Sequence, residues 1–346
     1  MSTIWAIGAS VRALAQSLTR AGHRVIAADL FDDLDLQQAA VRTQRIVDYP
    51  CDLLHLVDDV VADAFIYTGG LENEPDLIDQ LAERLPLMGN PGRVLRRVRD
   101  AFLLHDTLVR GGFAMPLMTK QMPVLSPHRW LQKSASSSGG LRVGWASSLP
   151  DDLSKNDYFQ QFIDGAVYGA SFHAADGSVR LLGVARQLTD CAWTNAPRFH
   201  YAGSVGPVTL PAGLQDEVER LGPFLACEFN LRGWFGVDFV VDAHGQLFVL
   251  EANPRYTASM ELLEQGTSSL AAKAILYADR AVSVTSEFSQ RLMQRGDVAD
   301  IPTSDTTLCA GSPVCSIFAR GASEQLILAE LREKVLSLSV EVAKPR

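Results

Sequence analysis

The sequence predicts an α/β fold of three parts: a Rossmann-like N-terminal domain, a strand-rich central domain and a short C-terminal α/β segment. Three observations carry this. Over residues 1–90, short apolar runs ending in glycine or aspartate alternate with segments of helical periodicity, as in a parallel sheet with crossover helices. Residues 91–127 turn basic and then proline-rich. Beyond residue 128 the pattern becomes strands joined by turns, with the clearest hairpin of the chain near its middle.

Taken in order, Ile4–Ile7 is an apolar run ending at Gly8; Val11, Leu14, Ala15 and Leu18 then recur at helical spacing, and Gly22 closes that helix. Val25–Ala28 is a second buried strand, ended by Asp29, and Ala64–Tyr67 a later one, ended by Gly69-Gly70. Gly8-Ala9-Ser10 lacks two glycines of a dinucleotide fingerprint, although Asp29 follows at the fingerprint's distance; a Rossmann-like shell contacting another ligand is the plainer expectation. Arg93, Arg96, Arg97, Arg99 and Arg110 read as a solvated helix face, with Arg99 a candidate to reach a phosphate, and Pro116–Pro127 reads as a linker. Trp130–Lys133 precedes the Ser/Gly stretch Ser134–Gly140. Strands follow at Tyr158–Ile163, Val167–His173 and Val179–Leu188, then a helix over Leu214–Phe229. The C-terminal part is expected to hold a helix near Ser268–Tyr277, a strand near Val314–Phe318 and a closing helix near Glu324–Leu338.

Composition narrows the function. The 346 residues are 47% apolar and 21% charged, enough for a sizeable core and incompatible with disorder. No apolar run approaches the ~20 residues of a membrane span, and Met1–Gly8 lacks the basic start of a signal peptide, so no membrane partner is expected. With 31 basic against 40 acidic residues, a net −9, a broad nucleic-acid surface is not expected either. Five scattered cysteines without a C-x-x-C argue against a disulfide framework or zinc ribbon and fit a reducing cytoplasm.

The hairpin carries the chemistry. Gly236–Asp242 and Gln246–Glu251 flank a turn at His244-Gly245, which brings Asp238 and Glu251 to about the same height; Glu251, Asn253 and Arg255 then share one face of an extended strand. Phe239, Val240, Phe248, Val249 and Leu250 surround them with apolar groups, where two facing carboxylates repel unless a cation lies between. Two carboxylates and an amide oxygen suit Mg²⁺ (or Mn²⁺), and an arginine at the rim suits a transferring phosphoryl group.

Gly236-Val237-Asp238-Phe239 and Leu250-Glu251-Ala252-Asn253-Pro254-Arg255 resemble the metal-binding signature of the ATP-grasp superfamily, which includes D-alanine–D-alanine ligase, biotin carboxylase and purine-pathway ligases. The resemblance spans essentially the whole chain. It makes residues 1–90 a Rossmann-like pre-ATP-grasp domain, 91–127 a helical linker region, 128–266 the nucleotide-binding lobes and 267–346 a C-terminal α/β segment. It implies ATP as cofactor, with Mg²⁺ or Mn²⁺ on Asp238, Glu251 and Asn253. It further implies that Lys133 and the glycine-rich loop, with Ser138, Gly139 and Gly140, lie over the phosphates. The adenine edge falls to the hinge Gln160-Gln161-Phe162-Ile163-Asp164. Two departures stand out: Gln160 and Gln161 occupy positions that are acidic in many members, and Val167 stands where many carry a ribose-binding glutamate, with Asp164 the available substitute.

The activity implied is carboxylate activation as an acylphosphate, followed by attack of an amine, with ADP and phosphate released. Arg255 and Lys133 are the catalytic candidates. Gly70, Glu72, Asn73, Arg186 and Glu261 are the substrate candidates, Glu72 as a holder of the incoming ammonium and Asn73 alternatively as a helix cap. Arg186 and Gln187 read equally as a surface pair. The alternatives are a biotin-carboxylase-like activation of bicarbonate and an ATP-binding module without turnover. Gly69–Asn73, Asn253–Glu261 and Pro313–Cys315 are similar to ATP-grasp proteins linked to tetrahydromethanopterin-dependent one-carbon metabolism, which implies a cofactor-building ligase. Small-molecule carboxylate and amine partners follow, and a homodimer is the assembly the resemblance allows.

Overall fold

A computed structural model describes residues 1–123, 126–137, 139–146, 156–264, 270–304 and 306–342. Among these, the N-terminal strands run parallel in the order Arg42–Arg45, Arg24–Asp29, Thr3–Ile7, Ala64–Tyr67. Ile4 and Ala6 face one core and Trp5 and Ile7 another, so the first strand is buried on both sides, as its unbroken apolar run requires. The helix Arg12–Arg20 lays Leu14, Ala15 and Leu18 on that sheet. Arg42–Arg45 has no apolar pattern to betray it and is an edge strand.

The strand ends are tightly determined. Gly8 has φ +154°, and a Cβ there would lie 2.1 Å from Thr68 Oγ1. Asp29 accepts hydrogen bonds from the N–H groups of Val11, Phe31 and Asp32. Its carboxylate therefore holds the loop rather than a ribose, and burial pushes its pKa up to about 6.

The basic region is helical over Gly92–Val98 and Ala101–Arg110, with Asp100 capping the second helix through the N–H groups of Phe102 and Leu103. Val94, Val98, Leu104 and Leu108 join the main core, while Arg93, Arg96 and Arg97 face solvent and Arg99 is half-buried.

Apart from the two-stranded pair of Val282–Ser283 with Thr307–Leu308, two antiparallel sheets follow among the described residues. The smaller has the order Met118–Thr119, Asp157–Gln161, Trp130–Ser134, Gly144–Trp145. The larger runs Leu247–Asn253, Gly233–Asp242, Gly165–Ala175, Ser178–Gln187, Gly203–Gly206, Leu270–Tyr277, Pro313–Gly321, Val298–Ala299. The helix Ala212–Phe229 covers it, and Gly222 permits the close approach: a Cβ there would meet the Phe172 ring at 2.4 Å.

The helix expected near Ser268–Tyr277 is instead the strand Leu270–Tyr277; residues 268 and 269 lie outside the described residues. Its alanine-rich sequence favours a helix in isolation. Here it is paired on both edges, to Gly203–Gly206 and Pro313–Gly321, and tertiary pairing overrides propensity. The larger sheet thus holds strands from both sides of residues 265–269, which lie outside the described residues.

Arg12, 1% exposed, ties these parts together. Its Nε and Nη2 donate to Asp300 at 2.9 and 3.0 Å, and its Nη1 and Nη2 to Glu261. Lys273 Nζ donates to the same Glu261 at 2.9 Å, and Asp35 accepts from the N–H groups of Asp300 and Ile301. Burial works to raise the pKa of Asp300, yet Arg12 outweighs it and holds the group at about 2. Replacing Arg12 with methionine leaves Glu261 and Asp300 buried with Lys273 as their remaining cation. We expect a loss of about 3–5 kcal/mol in urea unfolding followed by circular dichroism; a loss below ~1 kcal/mol would show the network to be energetically idle.

Candidate active site

The hairpin register places Asp238 directly opposite Glu251, but only because of an irregularity. Val241 pairs with Leu247 and Phe239 with Val249, a register that on its own would set Asp238 against Leu250. Leu250 is an extra residue on the return strand, a β-bulge that shifts the pairing by one and turns Glu251 toward Asp238.

Around this pair the structure gathers donors and cations. Asp238 Oδ1 accepts from Gln187 Nε2 at 2.6 Å, and Oδ2 from Asn253 Nδ2 at 3.0 Å. The same Asn253 amide lies 3.4 Å from Glu251 Oε1. Lys133 Nζ sits 3.9 Å from Glu251 Oε2 and donates to Gln160 Oε1 at 3.3 Å. Gly169 makes room for the Gln187 contact, since a Cβ there would lie 3.2 Å from both Asp238 Oδ1 and Gln187 Nε2.

The two carboxylates titrate in opposite directions. Burial, then the charge of Glu251, pushes Asp238 up to about 7. Burial also works to raise Glu251, but Lys133 and Arg99 outweigh it and hold it below the usual carboxylate range. Burial and mutual repulsion thus disfavour charging both at once, and Asp238 is the one more readily protonated. That unfavourable ionisation is what a divalent cation would relieve. The donor chemistry fits Mg²⁺ as well: two carboxylates and an amide that turns its oxygen inward by rotating about χ2. Among the described residues no cluster of three or more His, Cys, Asp or Glu offers an alternative.

Of the phosphate-loop candidates, Ser138 lies outside the described residues. Gly139 O accepts from Tyr201 N–H at 3.1 Å. Gly140 has φ +83° and lies so close to residue 199 that a Cβ would be 1.9 Å from Phe199 O. The same stretch is tied from the other side by Arg99, whose Nη2 donates to Ala135 O at 3.1 Å and Ser137 O at 2.7 Å.

In the hinge, Gln160 is buried, and its Nε2 has no partner among the described residues. The N–H groups of Gln161 and Phe162 donate to Leu117 O and Arg129 O. The Phe162 ring packs on Trp145 and beneath the Arg129 guanidinium, and Ile163 is half-buried. Asp164 is 89% exposed and 3.7 Å from Arg129.

The substrate candidates separate into two groups. Arg255 Nε donates to Glu72 Oε1 at 2.8 Å, and Gly69 leaves space for the guanidinium, 3.3 Å from where a Cβ would stand. Gly70, at φ +98°, packs against the Tyr49 hydroxyl. Asn73 Oδ1 accepts from Arg99 and does not cap the helix Pro75–Ala82. Arg255, whose charge acts on the carboxylate pair, thus holds Glu72, and Arg99, whose charge acts on Glu251, holds Asn73. Glu261 does not join them: its oxygens are taken by Arg12 and Lys273. Arg186 is paired with Glu324 of the closing helix. Gln187, read from the sequence with Arg186 as either a phosphate or substrate contact or a surface pair, is here bonded to Asp238.

A family model described as an ATP-grasp domain matches residues 98–259. Residues 98–259 carry an ATP-grasp domain. No curated protein sequence matches the chain. Among solved structures, an L-amino acid ligase from Bacillus licheniformis superposes with a TM-score of 0.70 at 14% identity, covering 96% of each chain. Biotin carboxylase from Campylobacter jejuni gives 0.68 at 12%, over 97% of this chain and 95% of that one. N5-carboxyaminoimidazole synthetase from Staphylococcus aureus, complexed with ADP, gives 0.69 at 13%, over 96% and 97%. At these identities the likeness establishes the fold. The Asp238–Glu251 hairpin falls inside the matched ATP-grasp segment, and the Arg12 network extends beyond it on both sides.

The raised pKa of Asp238 has a signed consequence. A carboxyl whose folded pKa exceeds its unfolded value binds more protons in the fold, so its contribution to stability falls as pH rises from about 4 to about 7. Asp238→Asn imitates the protonated form. In divalent-free buffer it should stabilise the protein by about 1–3 kcal/mol at pH 8 and change little at pH 4, measured by denaturant titration. Equal effects at both pH values would contradict the assignment of the proton to Asp238.

Proposed function

We propose that the protein is an ATP-dependent ligase that activates a carboxylate as its acylphosphate and joins it to an amine. The observation that carries this reading is that Arg255 stands beside the Asp238–Glu251 pair and, through Glu72, against the strand-end loop of the N-terminal domain. A phosphoryl group handled at the pair thus has a guanidinium and a second-substrate loop immediately beside it.

In this reading Asp238, Glu251 and Asn253 hold Mg²⁺, which when bound neutralises phosphate oxygens as a Lewis acid. Lys133, which burial works to deprotonate but which Tyr158 and Glu251 keep charged, adds positive charge to the same phosphates. The Gly139–Gly140 backbone and Gln160 Nε2 line the nucleotide, with the hinge 161–164 along its base. A substrate carboxylate oxygen attacks the γ-phosphorus and ADP leaves. The amine nitrogen then attacks the acyl carbon, phosphate leaves, and the nitrogen gives up a proton. Arg255 binds the phosphoryl oxygens in both steps, and its bond to Glu72 fixes its direction.

Cytoplasmic placement belongs to the same proposal, supported by five free cysteines and by the absence, among the described residues, of a helix long and apolar enough to cross a membrane. A role in building a one-carbon-carrier cofactor is supported by the motif resemblance around Gly69–Asn73 and Asn253–Glu261.

The test is ADP release on a panel of carboxylates and amines with MgATP, with products read by mass spectrometry. Glu251→Gln and Lys133→Ala should each lower turnover by about 10²-fold or more with the fold intact by circular dichroism. Turnover above about a tenth of wild type in both variants would sink the reading. An absolute requirement for bicarbonate would move the assignment to carboxylation.

A further inference from the structure

Asp238 is held by two amides, one on each oxygen: Gln187 Nε2 donates to Oδ1 at 2.6 Å and Asn253 Nδ2 to Oδ2 at 3.0 Å. Asn253 stands on the adjoining arm of the hairpin, within ordinary reach. Gln187 ends the strand Ser178–Gln187, and the strand Gly165–Ala175 lies between it and Asp238. Neighbouring strands lie about 4.8 Å apart, so the two backbones are ~10 Å apart and the contact has to pass over the strand between them.

The register shows where it passes. Asp238 pairs with Gly169, and Gly169 pairs on its other edge with Ala185. Gln187 follows Ala185 by two, which puts it on the face that Asp238 and Gly169 share. Val167 and Ser171, the residues before and after Gly169 on that face, both carry side chains. A Cβ on Gly169 would stand 3.2 Å from Asp238 Oδ1 and the same distance from Gln187 Nε2. The backbone of Gly169 lies outside the left-handed region, so this glycine supplies space and not a conformation. The donors themselves are of one kind. Neither amide carries charge, so together they direct both oxygens of Asp238 without neutralising it, whereas a lysine or arginine in either place would stand in for a cation. A carboxylate oxygen has two lone pairs, so Oδ1 can keep its bond to Gln187 and still face a metal ion.

We propose that Gln187 is a positioning residue of the divalent-cation site: acting across Gly169, it holds Asp238 Oδ1 in the direction in which that oxygen meets the ion. The proposal rests on the reading of Asp238, Glu251 and Asn253 as metal ligands and deepens it. It makes Gly169 part of the same device, since a side chain there crowds both ends of the contact.

Mn²⁺ binding to the full chain tests this without turnover, with free Mn²⁺ counted by electron paramagnetic resonance, first with Mn²⁺ alone and then with ADP added. Wild type should bind with a Kd below about 1 mM in at least one of the two conditions. Gln187→Met keeps the length of the side chain and removes its N–H; it should bind Mn²⁺ ~10-fold more weakly with its circular dichroism unchanged. Gly169→Ala leaves Gln187 in place and obstructs its path. It should weaken Mn²⁺ on its own and add little to Gln187→Met, because the two changes break one contact. Gln187→Lys restores a donor but brings a charge to Asp238, and it should bind Mn²⁺ no better than Gln187→Met. If Gln187→Met fails to fold, Gly169→Ala and Gln187→Lys decide: weaker binding in both supports the proposal, and unchanged binding in either overturns it. Unchanged affinity in Gln187→Met, or losses from Gln187→Met and Gly169→Ala that simply add, overturns the proposal and leaves the metal reading standing. Failure of wild type to bind Mn²⁺ in either condition brings down both.

Discussion

The structure turns on two carboxylates placed opposite each other in an apolar hairpin. Asp238 and Glu251 repel, and the fold answers with partners drawn from four elements: Gln187 from a strand two places along the sheet, Asn253 from the strand of Glu251, Lys133 from the smaller sheet and Arg99 from the helical region. None of these contacts is local in sequence apart from Asn253. The larger sheet, the smaller sheet and the helices must all be in place for the pair to be tolerated, so the site and the arrangement of its surroundings are specified together.

A second ionic centre does for the molecule what the first does for the cleft. Arg12, Lys273, Glu261 and Asp300 lie where the N-terminal sheet, the short helix Met260–Leu263 and the C-terminal strands converge. Their bonds tie the N-terminal domain to the larger sheet. Glu72 and Arg255 form a second tie between the same parts. The direction of Arg255 is thereby set by how one sheet is docked on another as well as by its own strand.

Much of this was legible in the sequence, and the reasons for the misses are physical. The strands at 4–7, 25–28 and 64–67 announce themselves because they are buried on both faces, and the hairpin because its turn is flanked by alternating apolar residues. The pairing of Asp238 with Glu251 was reached without the bulge at Leu250 that produces it, since a single extra residue leaves no periodic trace. Leu270–Tyr277 was misread because alanine content reports local preference while the strand is held by two neighbours distant in sequence. Glu261 looked available because its cationic partners lie 249 and 12 residues away. Asp238, Glu251, Asn253 and Arg255 were visible as a motif; Gln187 and Arg99 were singled out, but their closeness to the carboxylate pair comes from contacts distant in sequence.

The unbroken order of the larger sheet bears on how the chain is made. While the ribosome has released the chain only as far as residue 266, the strand Gly203–Gly206 is an edge, its outer N–H and C=O groups unpaired until Leu270–Tyr277 arrives. That strand is in turn an edge until Pro313–Gly321 pairs with it. The larger sheet is consequently completed from the far end of the chain, and a nascent or truncated product that stops between these points presents a ready surface for pairing with another copy of itself.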